Sequence, residues 1–467
     1  MPDSYLTQLH LFLFFLFQVH PWTEFKLFSL GAVYDYTLDT GDLSLANETF
    51  ANLVAHYSLS QFIQTSGHGP VATAGLVVKP PRAGLPAGVP SQAADDQRYY
   101  FQVYQDLVDY PDAVDVYNDD AAFPTGARCC LDDYVFSNVS TAINAHVAQA
   151  HRRLADMSRW LGHPTAEADR FGTLADGIVA GLKRQLQTTK CSPPAPACFL
   201  DGYGLPVAGS NRAQNASAVP INHTAVQATL FVVGCGDLLT PVEALVMLPF
   251  LKAKTEVMPL FSAMAANFML EGLYRMAAAD TTSAAADFAY DILSRDGHRS
   301  WREMLAANAT MTTEHWYGTF TGTNGGHTWS HPWSAAPARL IPQWLLGVRP
   351  LERAWRRIAV HPQPGSTVTR ATMTVPTLRG EVALSYARVA AGGAFGLNLT
   401  IPGNTDAEVC LPVGLLPEPA SVFGQSPGGG VITVDGKAAA TVVPADRPGH
   451  VCLASDLPGG SYVILAR

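Results

Sequence analysis

A short stretch between residues 312 and 333, TTEHWYGTFTGTNGGHTWSHPW, brings together residue types that could do chemistry. It contains one carboxylate, three imidazoles and three indoles, which belong to Glu314, His315, His327, His331, Trp316, Trp329 and Trp333. Desolvation and hydrogen bonding to such neighbours can tune a carboxylate to act as a general base. The alternative is that Glu314 is an ordinary glutamate at the start of a helix, after Thr312 or Thr313.

Tryptophan is concentrated in this part of the chain. Six of the eight tryptophans fall between residues 301 and 355, a density that core filling alone explains poorly. Trp316, Trp329 and Trp333 lie in loop-like sequence, and we predict that their indole faces serve as platforms for sugar rings, with core packing as the alternative. Trp344 and Trp355 are expected to pack against the domain that follows.

Two histidines of the stretch could suggest a metal site. His327 and His331 stand four residues apart, which is a metal-ligand spacing on a helix. The flanking glycines and Pro332 argue against a helix here, and no glutamate directly follows His327. We therefore expect no metal at this stretch, and predict a neutral histidine that donates to a sugar hydroxyl or orients Glu314.

The elements that must position these residues change type near residue 350. Before it, the segment SNVSTAINAHVAQAHRRLADMSRWLGH has apolar residues at helical spacing, with Ser137 as candidate N-cap and Gly162 as stop. Further helical segments follow in pairs, which predicts a helical toroid or solenoid. Beyond it, short alternating runs such as EVALSYARV and AFGLNLTIP predict antiparallel strands and a β-sandwich. We predict a helical domain over 22–350 and a sandwich over 351–467, divided within LLGVRPLERAW.

Length, composition and charge limit the number of domains and the classes of partner. A chain of 467 residues that is 48% hydrophobic is long enough for at least two domains. The formal charge of -9, without a basic run, argues against nucleic acid or anionic membrane as partners. Residues 1–21 contain the apolar run LHLFLFFLFQVH, which is too short to span a bilayer. An atypical signal, a buried helix and a mis-called start remain open for this segment.

Sequons and cysteines point to the secretory route, and we expect an extracellular or secretory-pathway protein. Glycosylation sequons begin at Asn47, Asn138, Asn215, Asn222, Asn308 and Asn398. Cys191 and Cys198 bracket a Pro-rich loop, and Cys410 is a plausible partner of Cys452, which leaves one of the seven thiols unpaired. The sequence alone leaves the full connectivity open, and the absence of zinc spacing disfavours a structural metal.

These residues carry a resemblance to a known family. MTTEHW, followed by TWSHPWSAAPARLIPQWLLGVRPLERAWRRIAVHPQPG, resembles the end of the catalytic domain of bacterial and fungal α-L-rhamnosidases of glycoside hydrolase family 78, running into their C-terminal β-sandwich. FKLFSLGAVYDYTLDTGDLSL, LVDYPDAVD and VPTLRGEVALSY agree in the same order, so that the resemblance covers residues 22–467. It implies a mainly α protein with an (α/α)6 barrel followed by an antiparallel β-sandwich, an inverting mechanism and no cofactor.

The resemblance also implies roles for single residues. Glu314 matches the glutamate that activates water as general base, and His331 matches the histidine that contacts rhamnose. Asp109 and Tyr110, in VDYP, stand where the family commonly shows Asp-Trp and become pocket candidates. The family's upstream motif with the general-acid glutamate has no counterpart here, so we expect an N-terminally truncated chain with an incomplete barrel.

Two classes of function therefore remain. The first is a hydrolase that releases terminal α-L-rhamnose from glycosides or polysaccharides, with Glu314 as base. The second is a catalytically impaired remnant that binds rhamnose-containing glycan through the three indoles and His331. Another (α/α)6 glycosidase is a further alternative, while the aglycone, the linkage and the oligomeric state remain unknown from the sequence.

Overall fold

The structure, a computed structural model, describes residues 23–57, 76–77, 134, 139–203, 220–257, 262–297, 299–314, 316, 330–388, 395–415 and 431–466. Several predictions lie outside these residues. They concern the apolar segment 1–21 and Ser137, Asp109, Tyr110, His327 and Trp329.

The described residues up to 345 are mainly helical. The α-helices are α1 (Thr23–Thr40), α2 (Ser44–Tyr57), α3 (Thr141–Trp160), α4 (Thr165–Gly181), α5 (Val226–Gly234), α6 (Pro241–Leu245), α7 (Leu248–Val257), α8 (Ala263–Ala277), α9 (Ala284–Ser294), α10 (Trp301–Ala306) and α11 (Ala336–Leu340). The prediction of a mainly helical first part is confirmed. Among these described helices, none is long and apolar enough to cross a lipid bilayer.

Helix α3 shows how local sequence sets the element bounds. Its N-cap is Ser140, whose hydroxyl accepts a hydrogen bond from the backbone N–H of Ile143 at 3.3 Å. The prediction of Ser137 as N-cap is therefore wrong, because Ser140 caps the helix and its first residue is Thr141. The chain leaves the helix at Gly162, whose φ of +73° is the left-handed conformation that glycine adopts without a steric penalty.

Four helices run in the same direction with their N-terminal ends level. Phe28, His146, Phe231 and Phe268 are each the sixth residue of their helix, on α1, α3, α5 and α8 respectively. Their rings form one layer, with centroids 5.4 Å apart for Phe28 and His146, 4.9 Å for His146 and Phe231, and 5.1 Å for Phe231 and Phe268.

Contacts further along these helices follow the same order. Tyr34 stacks on Trp160, Gln149 lies beside Gly236, and Val233 lies beside Gly272. The helices therefore run in the same direction, and the four N-terminal ends share one end of the helical part.

The remaining helices pack around this parallel set. Each of α2, α4 and α9 follows an inner helix and packs against it, and α11 packs on α8. Arg339, the fourth residue of α11, donates to the side chain of Asn267, the fifth residue of α8, at 3.1 Å. Five residues later the indole of Trp344 lies beside Arg275, further along α8, so this segment runs in the same direction as α8. The N-terminal end of α11 therefore lies with the other four.

Most of the described strands follow residue 345, and a few lie among the helices. They are β1 (Val139–Ser140), β2 (Gln187–Thr188), β3 (Cys198–Phe199) and β4 (Gly202–Tyr203) among the helices, and β5 (Val348–Pro350), β6 (Arg357–Val360), β7 (Arg370–Thr377), β8 (Gly380–Arg388), β9 (Phe395–Ile401), β10 (Asp406–Pro412), β11 (Ile432–Val434), β12 (Lys437–Ala438), β13 (Thr441–Val442), β14 (His450–Leu453) and β15 (Gly460–Ala466) after them. The later strands form a sheet in the order β12-β11-β15-β9-β8-β7 and a sheet in the order β13-β14-β10-β6-β5.

The two sheets correct one detail of the prediction. The six-stranded sheet is antiparallel throughout, as predicted, and β9 buries every second residue from Phe395 to Ile401. In the five-stranded sheet, however, β6 and β10 pair in parallel, with Ile358 opposite Ala407. Parallel strands need a long connection, and here the chain between them builds β7, β8 and β9 of the other sheet.

Both disulfide pairs expected from the sequence are present. Cys191 is bonded to Cys198, and Cys410 on β10 is bonded to Cys452, its direct cross-strand partner on β14. Cys235, at the end of α5, is a buried free thiol whose sulfur lies 3.2 Å from Nδ1 of His146. Burial raises the pKa of the Cys235 thiol, which keeps it protonated and able to donate to that imidazole.

The helical part meets the sandwich through a buried indole. The guanidinium of Arg275 lies 4.9 Å from the ring centroid of Trp344, and that of Arg349 lies 4.4 Å from it. Arg275 also pairs with Glu271 of α8 at 2.9 Å. Trp344 and Trp355 are both buried, as expected for packing residues.

Candidate functional site

Glu314 lies in irregular backbone between α10 and α11. No helix begins at this residue, so the helix-start alternative for Glu314 is wrong. Glu314 is only 7% exposed, and the preceding Thr313 is fully buried. The backbone carbonyl of Thr313 accepts a hydrogen bond from the hydroxyl of Ser334 at 2.6 Å, which fixes the chain next to the carboxylate.

His331 is brought beside Glu314 by backbone pairing. The N–H of His331 donates to the carbonyl of Thr312 at 2.8 Å, and the hydroxyl of Thr312 donates to the carbonyl of His331 at 3.0 Å. Nδ1 of His331 consequently lies 3.7 Å from Oε2 of Glu314. This separation is too long for a direct hydrogen bond, but it couples the two groups electrostatically.

The environment keeps the imidazole of His331 neutral near neutral pH. Burial lowers the pKa of His331 below its ordinary value, and the nearby carboxylate of Glu314 opposes that shift without overcoming it. A neutral imidazole has one N–H donor and one acceptor nitrogen, which suits a hydroxyl partner.

Trp333 contacts both Glu314 and His331. Its indole N–H donates to the backbone carbonyl of Glu314 at 3.0 Å, and its ring centroid lies 4.1 Å from that of His331. Trp333 is half-buried, so part of its surface remains accessible. A single short segment therefore holds the carboxylate, the imidazole and one indole together.

Trp316 has a different place from the one predicted. It is 5% exposed and packs edge-to-face against Trp301, with centroids 4.8 Å apart. The indole N–H of Trp301 in turn donates to the carbonyl of Ser334 at 2.8 Å. Such burial favours the core-packing alternative for Trp316, because an indole must expose a face to stack on a sugar. Trp329, Asp109 and Tyr110 lie outside the described residues.

The site lies at the shared N-terminal end of the parallel helices. His331 directly precedes a short 3-10 turn, Pro332–Ser334, which leads into α11 and contacts α8. The positive ends of the helix dipoles point towards this end. That field favours a carboxylate and any negative charge that develops during a reaction.

A second imidazole at this end was missed from the sequence. The carboxylate of Asp201 is fully buried; its Oδ2 lies 2.6 Å from Nδ1 of His223, and its Oδ1 accepts from the N–H of Ala225 at 2.7 Å. The carbonyl of Asp201 accepts from the N–H of Thr141, so that one residue joins the starts of α3 and α5. A single Asp and a single His 22 residues apart have no recognisable spacing, and only the position of His223 shortly before a helix start could have indicated this pair.

One group of side chains has the distances of a metal site but not its chemistry. Among the described residues, potential ligand atoms of His361, Glu408 and Cys410 lie within 4.8 Å of one another. The sulfur of Cys410 is bonded to Cys452 and cannot form a thiolate ligand. We assign no metal to this group.

Comparison with known proteins places this geometry in context. The family model of the bacterial α-L-rhamnosidase C-terminal domain matches residues 347–419. An α-L-rhamnosidase of Alteromonas sp. (strain LOR) is 28% identical over 130 residues, which are 27% of this chain and 14% of that protein. One of Streptomyces avermitilis is 26% identical over 138 residues, 28% of this chain and 13% of that protein. Over these segments the chain is similar to α-L-rhamnosidases.

Solved structures show the fold of this chain over most of its length. The α-L-rhamnosidase of Dictyoglumus thermophilum superposes with a TM-score of 0.57 at 14% identity, over 94% of this chain and 39% of that one. The Streptomyces avermitilis enzyme, solved in complex with L-rhamnose, gives a TM-score of 0.56 at 15% identity, over 95% of this chain and 33% of that one. The chain thus spans about two fifths or less of these two proteins.

Proposed function

We propose that this chain releases terminal α-L-rhamnose from a rhamnose-containing glycoside or polysaccharide by an inverting mechanism, with Glu314 as general base. The observation that carries the proposal is the pairing of a nearly buried Glu314 carboxylate with His331 at 3.7 Å, at the helix-start end of a rhamnosidase-like fold. The relatives' names support the substrate class.

Each group has a defined task in the proposed reaction. Glu314 takes a proton from the water that attacks the anomeric carbon. His331, neutral by virtue of its lowered pKa, hydrogen-bonds a sugar hydroxyl, and Trp333 supplies an apolar edge next to it. An inverting enzyme also needs a carboxylic acid about 6.5–9.5 Å from the base, which protonates the leaving oxygen.

The helical part is proposed to be an (α/α)6 barrel. Support comes from the parallel inner helices α1, α3, α5 and α8 and from outer helices that return between them. An arrangement of this kind gathers the loops before the inner helices around one opening. His223 precedes α5, and Glu314 and His331 precede α11, whose N-terminal end lies with those of the inner helices.

A secretory-route location is likewise proposed. Two disulfides are present, and the sequon asparagines Asn47, Asn222 and Asn398 are exposed. Expression in a secreting eukaryotic host should yield a protein in the medium whose mass falls on treatment with an endoglycosidase. Intracellular retention without any mass change would contradict this location.

The deciding experiment measures hydrolysis of two substrates with different leaving groups. A dinitrophenyl α-L-rhamnoside has a leaving group that needs no proton, whereas an alkyl α-L-rhamnoside depends on the general acid. Glu314→Gln is the test variant, and Glu303→Gln is the control, because Glu303 lies on α10 in the same part of the chain and its carboxylate accepts a hydrogen bond from the backbone N–H of Arg299, just before this helix. The anomeric form of the released sugar is followed by NMR.

Each outcome has a definite reading. Glu314-dependent turnover of both substrates, with inversion, supports the full proposal and locates an acid within these residues. Turnover of the activated substrate alone supports Glu314 as base and shows that the acid is lacking. No turnover of either substrate overturns the hydrolase proposal, and rhamnose binding under those conditions would favour the binding remnant.

A further inference from the structure

A cleft of about 440 Å³ lies between the helical part and the sandwich. Gly41 follows the last residue of α1, and Trp160 is the last residue of α3, so the cleft adjoins the C-terminal ends of these helices. The opposite wall is the turn of residues 351–356, which leads from β5 into β6. Helix α3 has 20 residues and is therefore about 30 Å long, which separates this cleft from the end where Glu314 lies.

The cleft is strongly basic although the protein is acidic. Arg353, Arg356 and Arg379 line it, and Glu352 is the one carboxylate among its lining residues. Glu352 is engaged by Nε of Arg356 at 2.6 Å. The lining therefore has an excess of two positive charges in a chain whose formal charge is -9. The negative ends of the α1 and α3 dipoles make this concentration of guanidinium groups less costly.

An aromatic ring orients the side chain of Arg353, and no described carboxylate pairs with its charge. Its guanidinium lies over the indole of Trp160, 5.6 Å from the ring centroid, and that indole stacks on Tyr34 at 4.9 Å. Arg353 forms no ion pair with any described residue. An arginine that is oriented by an aromatic ring and still has its N–H donors available is suited to bidentate binding of an anion.

The turn that presents Arg353 is conformationally strained. Ala354 and Trp355 have φ values of +54° and +57°, in the left-handed region that costs non-glycine residues of order 1 kcal/mol or more each. Nε of Arg379 donates to the carbonyl of Ala354 at 2.7 Å, and its guanidinium also donates to the carbonyl of Asn404 at 2.8 Å. Strain that the surroundings maintain in this way is concentrated at ligand-binding turns.

We propose that this cleft binds an anionic group, a carboxylate or a sulfate, carried on a carbohydrate chain. The guanidinium groups would take the anion, and the partly exposed Leu351 would contact the sugar ring. The carbohydrate part of the assignment rests on the proposed function, since a rhamnosidase relative that acts on an acidic polysaccharide would gain a second point of attachment. The anion part rests on the cleft alone.

The test is electrophoresis of the full chain through native gels that contain polygalacturonate, dextran sulfate or uncharged dextran. The variants are Arg353→Gln and Arg356→Gln, with Arg370→Gln as control, because Arg370 is an exposed arginine on β7 away from the cleft. We expect retardation by one or both anionic polymers and none by dextran. Arg353→Gln should weaken that retardation at least fivefold, and Arg370→Gln should leave it unchanged.

The outcomes separate this proposal from the hydrolase proposal. Retardation by polygalacturonate alone identifies a carboxylate ligand, and retardation by dextran sulfate alone identifies a sulfate. Equal retardation by dextran, or equal retardation of Arg353→Gln and wild type, overturns the anion site. Glu314→Gln should bind the polymer as wild type does, whereas Arg353→Gln should hydrolyse a small aryl rhamnoside as wild type does, so each proposal can fail alone.

Discussion

Nδ1 of His331 lies 3.7 Å from Oε2 of Glu314, while the indole of Trp333 holds the backbone of the same glutamate. The two side chains are thus neighbours by electrostatics and not by a direct hydrogen bond. This separation leaves room for each group to have its own partner, a water for the carboxylate and a hydroxyl for the imidazole. Their mutual influence can be measured through titration.

The titration of His331 should respond to Glu314 in a defined direction. Burial lowers the pKa of His331, and the carboxylate of Glu314 raises it. Glu314→Gln removes only the raising influence, so the midpoint of the His331 imidazole should fall further below its ordinary value. NMR titration of the imidazole protons, assigned with His331→Asn, measures the two midpoints. An upward shift in Glu314→Gln would falsify the assigned contact.

Glu271→Gln should destabilise the fold by about 3 kcal/mol, as expected for removing one partner of a buried charge network. Burial alone would raise the pKa of Glu271, but Arg339 at 2.5 Å and Arg275 at 2.9 Å outweigh it and lower the pKa to about 2. The contribution of this carboxylate is therefore complete above about pH 5 and is lost as the pH falls towards 2.

The matched control for Glu271 is Glu352→Gln, which alters an exposed pair with Arg356 and should cost about 0–1 kcal/mol. Urea unfolding at pH 7 gives both values. Equal effects of the two substitutions would show that the buried network does not stabilise the protein.

Gly347→Ala should destabilise the junction of the helical part and the sandwich far more than Gly162→Ala. Both glycines have left-handed backbone, with φ of +80° and +73°, so each substitution costs about 1–2 kcal/mol in conformational strain. Only at Gly347 would the added Cβ collide with the backbone of His361, whereas the space around Gly162 is open. Thermal unfolding of the two variants separates the steric part from the conformational part; similar melting temperatures would contradict the close approach.

Acid should unfold this protein through buried neutral histidines. Burial lowers the pKa of His450 to about 4 and that of His361 to about 3, while both residues titrate near 6.5 when unfolded. Between pH 6.5 and 4 the unfolded chain therefore binds more protons, and stability falls with decreasing pH by about 1.4 kcal/mol per unit for each histidine. Urea unfolding at pH 7, 5.5 and 4.5 should show this decline.

The variant that checks the histidine contribution is His450→Gln. His450 faces the carbonyl of Ala278, while Arg447 and Arg349 lie near enough to disfavour its protonation. Removing the imidazole should flatten the decline below pH 6.5, whatever the stability at pH 7. An unchanged slope would mean that His450 does not contribute to the acid sensitivity.

Periodicity predicted the elements well wherever one face is buried. The alternation in EVALSYARV and AFGLNLTIP corresponds to β8 and β9, and the three-and-four spacing around His146 corresponds to α3. Such patterns are reliable because they record burial of one face directly. The N-cap was misplaced because Ser137 and Ser140 are both good capping residues, and only the path of the backbone distinguishes them.

Contacts between distant segments could not be predicted in the same way. The parallel pairing of β6 and β10 depends on a crossover through another sheet. The contact between Asp201 and His223 depends on where two helices start. The burial of Trp316 depends on its packing against Trp301. Within the candidate site, residue types identified Glu314 and His331, but the backbone pairing that brings them together is visible only in the folded chain.

The layer formed by Phe28, His146, Phe231 and Phe268 has a geometric consequence for the end of the helical part where Glu314 lies. Five residues of helix place it about 7–8 Å below the helix starts. A layer of packed rings at that depth closes the space between these four helices below the end where Glu314 lies. We therefore expect that a sugar chain bound at this end, as proposed above, stops at this layer instead of passing between the helices.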